Sequence, residues 1–581
     1  MSDYQVTTEN MTALQNKLDL PKFQRGYVWN DKKKVELINS LHEGFPFGAL
    51  LTYQKSPKEK EKLLDGQQRW STILDFNQNK ASYFKKLEPV EYEKSFKKLN
   101  EKFTDNGLYA ISKDEFDKVL SNEVDLSDWV DDQVEGQNPS ISPKEIRNIF
   151  KKYQENIQNY LRVEQLQIPI IRYTGDEKNI AQVFENLNKG GVQLSKFEIF
   201  AAAWTHQTFK LQQTDLQNKI LENVKRFYLE KQEKAEDYGF ALDGFSEDEL
   251  TSSREINLFE LGVGIGLLAQ EKLSALVADG EKSVNEIGFG ILGLAVGLDP
   301  KKLGEMPDFK NEIVANIENT LNQTNNICTR LASIFDKLIR QNTAKDNHGL
   351  KYHRALSTTF KSLSYFAALW DLDENSEEWR NTVKNIPGYY VRDAINEVWG
   401  NAGDSRLFEY YPGKRRERSY VNPINIEDFK TSFHSWIDNE NTATERFTPI
   451  VKALATIHAN YTYLSDFVDF GEPLQFEHIY PKARVREFDT SRDVMLGKLG
   501  NTMYLPKALN QNKKIDTLYE VEHPEKYEQV IKESMYPTKN DFENAFSALK
   551  EKNFGIINSL IKDRSYKVAD SIVDKLLNVK F

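Results

Sequence analysis

Two stretches of the chain bring together residue types capable of chemistry. The first pairs Pro21-Lys22-Phe23-Gln24-Arg25 with Asp65-Gly66-Gln67-Gln68-Arg69. A glycine where a strand turns into a helix lets backbone approach a phosphate, and the helix start offers unpaired N–H groups. Gln67 and Gln68 add carboxamide donors, and Arg69 adds a guanidinium suited to bidentate contact with an anion. Asp65 is of a type that holds a hydrated Mg²⁺ or a ribose hydroxyl. On pattern alone, an ordinary polar helix cap is the commoner meaning of these residues.

The second stretch is Glu477-His478-Ile479-Tyr480-Pro481, followed by Gly500-Asn501 and then Asn510. Carboxylate and amide oxygens favour Mg²⁺ or Mn²⁺ over zinc. Neighbours on a strand face opposite sides, so Glu477 and His478 share a site only if the strand ends or twists there. Pro481 is consistent with such an ending. A Glu-His pair standing alone is more often a buried structural histidine; the ordered series argues otherwise.

A third cluster sets Lys414, Arg415, Arg416 and Arg418 among Tyr410, Tyr411 and Tyr420. Guanidiniums pair with phosphates and aromatic rings stack on bases, so Arg415, Arg416 and Arg418 are DNA-contact candidates. A solvated charged loop is the slightly commoner meaning of such a run. Gly288-x-Gly290-x-x-Gly293 spells a dinucleotide fingerprint, but no clear strand precedes it and Gly297 and Pro300 cut its helix short. A closely packed helix pair is the expected outcome. No P-loop string occurs.

The elements that must position these residues follow from pattern. Asn30 caps a helix carrying Val35, Ile38 and Leu41, which Gly44 stops. Strands are predicted at Phe47–Tyr53 and Lys62–Leu64, then a helix over Trp70–Phe76, so the Asp65–Arg69 string sits at a strand-to-helix turn. Residues 81–160, rich in Lys, Glu and Asp, read as a helical insertion. Gln167–Tyr173 reads as a buried strand. A helix through Val183, Phe184 and Leu187 precedes a turn at Asn188–Gly191. Ser195 and Glu198 form a capping box that starts the next helix at Lys196. From about 205 to 440 amphipathic helix prevails, and a short β region near 474–505 interrupts the final helical segment.

At 581 residues, two to four domains are expected. Hydrophobic content of 39% and charged content of 28% describe a globular, soluble chain. One cysteine, Cys328, excludes an internal disulfide framework and any Cys-rich zinc site, and is in keeping with the cytoplasm. The polar opening MSDYQVTTEN shows no signal peptide. The longest apolar run, Ile287–Leu298, is too short to span a membrane. A net charge of −11 argues against nonspecific coating of nucleic acid, while leaving room for a local basic groove.

The Gln24-Arg25 pair, Trp29, the glycine-containing strand entry and the Asp65–Arg69 string resemble the N-terminal domain of GmrSD-type restriction nucleases. The Val183–Gly191 segment resembles a later motif of that domain, and the likeness runs over about residues 10–205. That resemblance implies a fold related to ParB and sulfiredoxin, with a nucleoside triphosphate bound at Gln24, Arg25, Asp65, Gly66, Gln67, Gln68 and Arg69.

Glu477-His478-x-x-Pro481, Gly500-Asn501 and Asn510 resemble an HNH nuclease of ββα-metal shape over about residues 445–565, with Leu499–Leu505 as second strand and Lys507 onward as helix. By that resemblance His478 is the general base, and Glu477 and Asn510 are ligands of Mg²⁺ or Mn²⁺, with Asn512 a second-choice ligand. Asn501 steadies the loop that holds the base. The expectation is an α+β multidomain, predominantly helical chain. Residues 1–205 form the nucleotide-sensing domain with its insertion at about 81–160, residues 206–440 a helical middle, and residues 441–581 the nuclease. The implied activity is antiphage cleavage of double-stranded, modified or foreign DNA, controlled by nucleotide binding or hydrolysis, with self-association compatible and no membrane partner. The alternative is a non-catalytic, nucleotide-switched DNA-binding regulator.

Overall fold

The computed structural model describes residues 4–15, 17–22, 29–54, 60–137, 139–175, 183, 195–237, 242–341, 351–400, 403–414, 420–440, 445–464 and 474–578. The chain is mostly helical with small sheets, an α+β arrangement. It divides into two compact units, Met1–His206 with Lys225–Glu255 and Gln207–Val224 with Ile256–Phe581. Among the described residues, no helix is long and apolar enough to cross a membrane.

The first unit is built on a mixed sheet. Strand β1 (Tyr4–Asn10) runs antiparallel to β5 (Gln167–Tyr173), which lies parallel to β3 (Leu50–Tyr53). Strand β3 pairs antiparallel with β4 (Glu61–Asp65), and β4 lies parallel to β2 (Leu18–Pro21), which pairs with the short strand Leu242–Asp243. Side chains alternate along a strand, so apolar neighbours in sequence serve opposite faces. Leu50, Leu63, Ile168 and Ile170 face one core with Ile38, Trp70 and Ile73. Leu51, Tyr53, Leu64 and Tyr173 form a second cluster. Both faces are covered, which is why these strands read as continuous apolar runs.

The predicted caps form here. Asn30 Oδ1 accepts from Lys33 N at 3.1 Å and starts the helix Asp31–His42, whose buried face is Leu37, Ile38 and Leu41, with Val35 half-buried. Ser195 and Glu198 close a capping box ahead of the helix Lys196–Ala203. The strand expected from Phe47 begins only at Leu50, because Gly48 takes φ +85° against the Arg69 guanidinium. The described residues between 80 and 160 are mostly helical, from Lys80–Leu87 to Pro143–Tyr160, and hold a core of their own around Phe103, Phe116 and Phe150.

The second unit is a helical assembly that includes a two-stranded antiparallel sheet, Leu474–His478 with Thr502–Pro506. Amphipathic helices are expected at its start, yet Leu258–Lys272 and Glu281–Ala295 are buried on nearly every side. They cross closely: a Cβ on Gly288 would stand 1.9 Å from Gly262 O, and one on Gly266 2.1 Å from Val284 O. The Gly288–Gly293 spelling is therefore a helix crossing with no nucleotide loop. Residues on both sides of 440 fall in this one unit. Helix Ile426–Asn439 lies along Phe554–Asn578, joined by Lys430–Asp574 and Lys562–Asp438 ion pairs, both at 2.8 Å.

Candidate functional site

In the first unit, β4 ends at Asp65 and Gly66 caps the helix Gln67–Gln78 at φ 96°, a left-handed conformation that favours glycine. A Cβ on Gly66 would lie 2.4 Å from Leu50 Cδ2, so space as well as dihedral demands glycine. Arg69 turns back over this corner, donating to Asp65 Oδ2 at 2.8 Å and to Phe47 O at 3.2 Å. The guanidinium predicted to await an anion is thus already engaged with Asp65. Gln68 Oε1 accepts from Trp29 N at 3.1 Å, which ties the incoming chain to the helix start. Gln67 is buried, and its Oε1 has no hydrogen-bond partner among the described residues. Gln24 and Arg25 lie outside the described residues, as do Asn188 to Gly191 and the DNA-contact candidates Arg415, Arg416 and Arg418.

In the second unit, the strand Leu474–His478 pairs antiparallel with Thr502–Pro506, setting Glu477 opposite Met503 and His478 opposite Thr502. The strand ends at His478, and the helix Lys507–Lys513 follows the second strand, a ββα order. Leu499–Asn501, predicted as strand, is a 3-10 turn. Its shape comes from the helix Phe554–Asn578. Arg564 donates to Gly500 O at 3.0 Å and Thr502 O at 3.1 Å, and Gly500 N donates to Ser565 Oγ at 2.8 Å. A Cβ on Gly500 would meet Ile561 O at 1.8 Å.

That turn delivers Asn501, fully buried, to the loop after His478. Its Oδ1 accepts from Tyr480 N at 2.8 Å and its Nδ2 donates to Leu496 O at 3.0 Å. Glu477 and Gln475, two apart on the strand, share a face, as do Asn510 and Lys513, three apart on the helix. The two faces meet: Asn510 Nδ2 donates to Gln475 Oε1 at 3.2 Å, and Lys513 Nζ donates to Glu477 Oε1 at 2.7 Å. The side chain of Asn512 lies outside the described residues.

Lys513 was not singled out from the sequence, where it is one lysine of a basic pair. Its side chain is 0% exposed. Burial pulls its pKa down, and the neighbouring Glu477 pulls it back up. Burial likewise raises Glu477 above the usual carboxylate range, against the pull of Lys513. His478 takes different partners from Glu477. Its Nε2 lies 3.0 Å from Glu445 O, and its ring stacks on Phe447. Burial pushes its pKa down to about 4, the hydrogen bond to Glu445 O opposing, so the imidazole is neutral near pH 7. A carbonyl only accepts, so Nε2 carries the hydrogen and Nδ1 keeps its lone pair. Among the described residues no three His, Cys, Asp or Glu side chains form a metal-holding group.

An uncharacterized protein of Methanocaldococcus jannaschii is 25% identical over 229 residues, which cover 33% of this chain and 39% of that protein. The chain thus spans well under half the length of that relative. Residues 9–205 match the family model described as GmrSD restriction endonuclease, N-terminal domain, which supports a GmrSD-like domain over the residues that carry the Asp65–Arg69 turn.

Proposed function

We propose that this chain is a restriction-type endonuclease that hydrolyses phosphodiester bonds of modified or foreign double-stranded DNA at an HNH-type site. In this reading Mg²⁺ or Mn²⁺ assists at Glu477 and Asn510, and nucleoside triphosphate at the Asp65–Arg69 turn licenses cutting. The carrying observation is a neutral, half-buried His478 whose Nδ1 lone pair is left over once Nε2 is given to Glu445 O, next in chain to the Glu477 carboxylate.

The donor set suits a hard cation. Mg²⁺ is commonly bound by one or two protein oxygens, with waters and substrate phosphate completing the shell. Glu477 Oε2 and Asn510 Oδ1 are oxygens of that kind, on facing surfaces of strand and helix. When bound, such an ion stabilises charge building on the phosphate and the leaving oxygen. The protein's own part is the proton. His478 Nδ1 takes it from a water as the oxygen attacks phosphorus, the phosphorus–oxygen bond to the leaving group breaks, and Asn501 keeps the base's loop in place. The negative charge of arriving DNA raises the basicity of an imidazole that burial has depressed.

At the other site, the helix N-terminus and Gln67 Oε1, without a partner among the described residues, support nucleotide binding: the N–H groups suit phosphate, and the carboxamide oxygen suits a hydroxyl donor. A non-catalytic DNA-binding regulator is favoured by one observation, the Lys513 ammonium seated on Glu477, which would serve a purely structural site equally well. Cleavage of modified and unmodified phage DNA, assayed with Mg²⁺ and each nucleoside triphosphate in turn, decides between them. Cutting that EDTA stops and His478→Ala slows by ~10²–10⁴-fold is expected. DNA binding with no cutting under every condition would leave the regulator.

A further inference from the structure

The His478 imidazole owes its pose to a segment well upstream. Glu445 O accepts from its Nε2 at 3.0 Å, and the Phe447 ring stacks on it at 4.2 Å. The Glu445 carboxylate is itself gripped by three cations: Lys482 Nζ at 2.6 Å, Arg486 Nε at 2.9 Å and Arg492 Nε at 3.5 Å. All three cations follow His478 closely in sequence, two of them on the helix Lys482–Arg486. Arg484, on that same helix, turns elsewhere and pairs with Glu520. The arrangement closes on itself: the loop after the base holds the carboxylate whose own carbonyl holds the base.

We propose that Glu445 is a positioning residue for DNA cleavage, its carboxylate clamping the Glu445–Phe447 segment so that one tautomer and one ring plane of His478 persist. The inference rests on His478 acting as the base. A neutral imidazole with no fixed partner exchanges its hydrogen between the two ring nitrogens and rotates, and only one nitrogen can face the water. Hydrogen-bond partners of this supporting kind typically carry a 10–100-fold effect on activity.

The same carboxylate neutralises cations beside the base. Its loss frees Lys482 and Arg492, half-exposed or more, for DNA phosphates. Substitution therefore has opposed effects: turnover falls while DNA is bound more tightly. A merely structural role would lower the active fraction and leave KM alone.

The test is Glu445→Gln, which keeps shape and removes charge, with Glu445→Asp as the conservative variant. Steady-state cleavage of duplex DNA under Mg²⁺ gives kcat and KM. Ring-nitrogen NMR on ¹⁵N-histidine protein, with the His478 signals assigned through His478→Ala, reads the tautomer without activity. Expected for Glu445→Gln are a kcat about 10–100-fold lower, a lower KM, and a tautomer mixture where the parent protein shows Nε2–H. Glu445→Asp should recover most of the turnover. If Glu445→Gln melts early, Phe447→Leu takes its place and is read by ring-nitrogen NMR: a tautomer mixture in the folded variant is expected, and a single Nε2–H tautomer overturns the clamp. Unaltered kcat and a single tautomer in a folded Glu445→Gln overturn the proposal while a dead His478→Ala leaves the base reading standing. Cleavage by His478→Ala near the parent rate overturns both.

Discussion

At the scale of single residues, burial decides what the polar groups can do. Lys513 and Glu477 are each penalised by burial and each relieved by the other. Removing one partner of such a pair costs on the order of 3 kcal/mol, because a lone charge stays buried. Lys513→Met is therefore expected to melt early and to regain stability when Mg²⁺ is added, by a larger shift than the parent protein shows. A thermal-shift titration with Mg²⁺ measures this, and equal shifts in both proteins would argue against an ion at Glu477. In the first unit, Gln67 carries a buried acceptor with no partner among the described residues. Gln67→Ala and Arg69→Ala should both weaken nucleoside triphosphate binding while the unit stays folded. Unchanged affinities by calorimetry, for every triphosphate, would remove the phosphate-cradle reading.

The unit of design at the next scale is the turn held by a distant helix. Leu499–Asn501 presents Asn501 to the base's loop only because Arg564 and Ser565 grip its backbone. Gly500 is required by approach, with Ile561 O where a Cβ would go. Gly500→Ala must push the helix Phe554–Asn578 or the turn aside, at a cost of roughly 1–3 kcal/mol, the usual penalty for overpacking. A fall in melting temperature together with a fall in cleavage is expected, since Asn501 moves with the turn. Full activity in Gly500→Ala would show that the turn's placement does not matter to the site. In the first unit the same logic appears as Gly66 against Leu50, where strand and helix meet too closely for a side chain.

At the scale of the whole molecule, charge and titration set the behaviour. His458 is buried in the second unit and His353 and His478 are half-buried there, and desolvation lowers the pKa values of His353, His458 and His478 to about 4, 3 and 4. Unfolded histidines titrate near ~6.5, so between that value and the folded ones the unfolded state binds protons that the folded state refuses. Their stability contribution is present above about pH 6.5 and is lost as pH falls through the folded values. His458→Leu should flatten this acid limb of the melting curve; an unchanged slope would assign the limb to other groups. The chain is acidic overall, at −11, so under the proposed function DNA would have to meet a local basic face. Replacing Arg415, Arg416 and Arg418 with alanine should reduce the log–log salt slope of DNA binding by roughly 2.7, about 0.9 per phosphate contact. An unaltered slope would return that cluster to plain solvated surface.

The sequence by itself determined the local features. Asn30 and Ser195 cap the helices their spacing foretold, and Gln167–Tyr173 is the strand its apolar run announced. Gly66 turns β4 into the helix Gln67–Gln78 because dihedral and capping preferences act within a few residues. The resemblance to HNH nucleases implied a strand, a second strand and a helix around Glu477, His478, Asn501 and Asn510, and the elements keep that order with the second strand starting at Thr502. Tertiary structure alone decided who meets whom. Nothing near Glu477 in sequence marks Lys513 as its counter-charge, nor Glu445 and Phe447 as holders of His478. Nor does the Gly288 series, read along the chain, separate a nucleotide loop from the crossing of two buried helices that it forms. Such partners come from burial and approach between segments far apart in the chain, and local propensity carries no record of either.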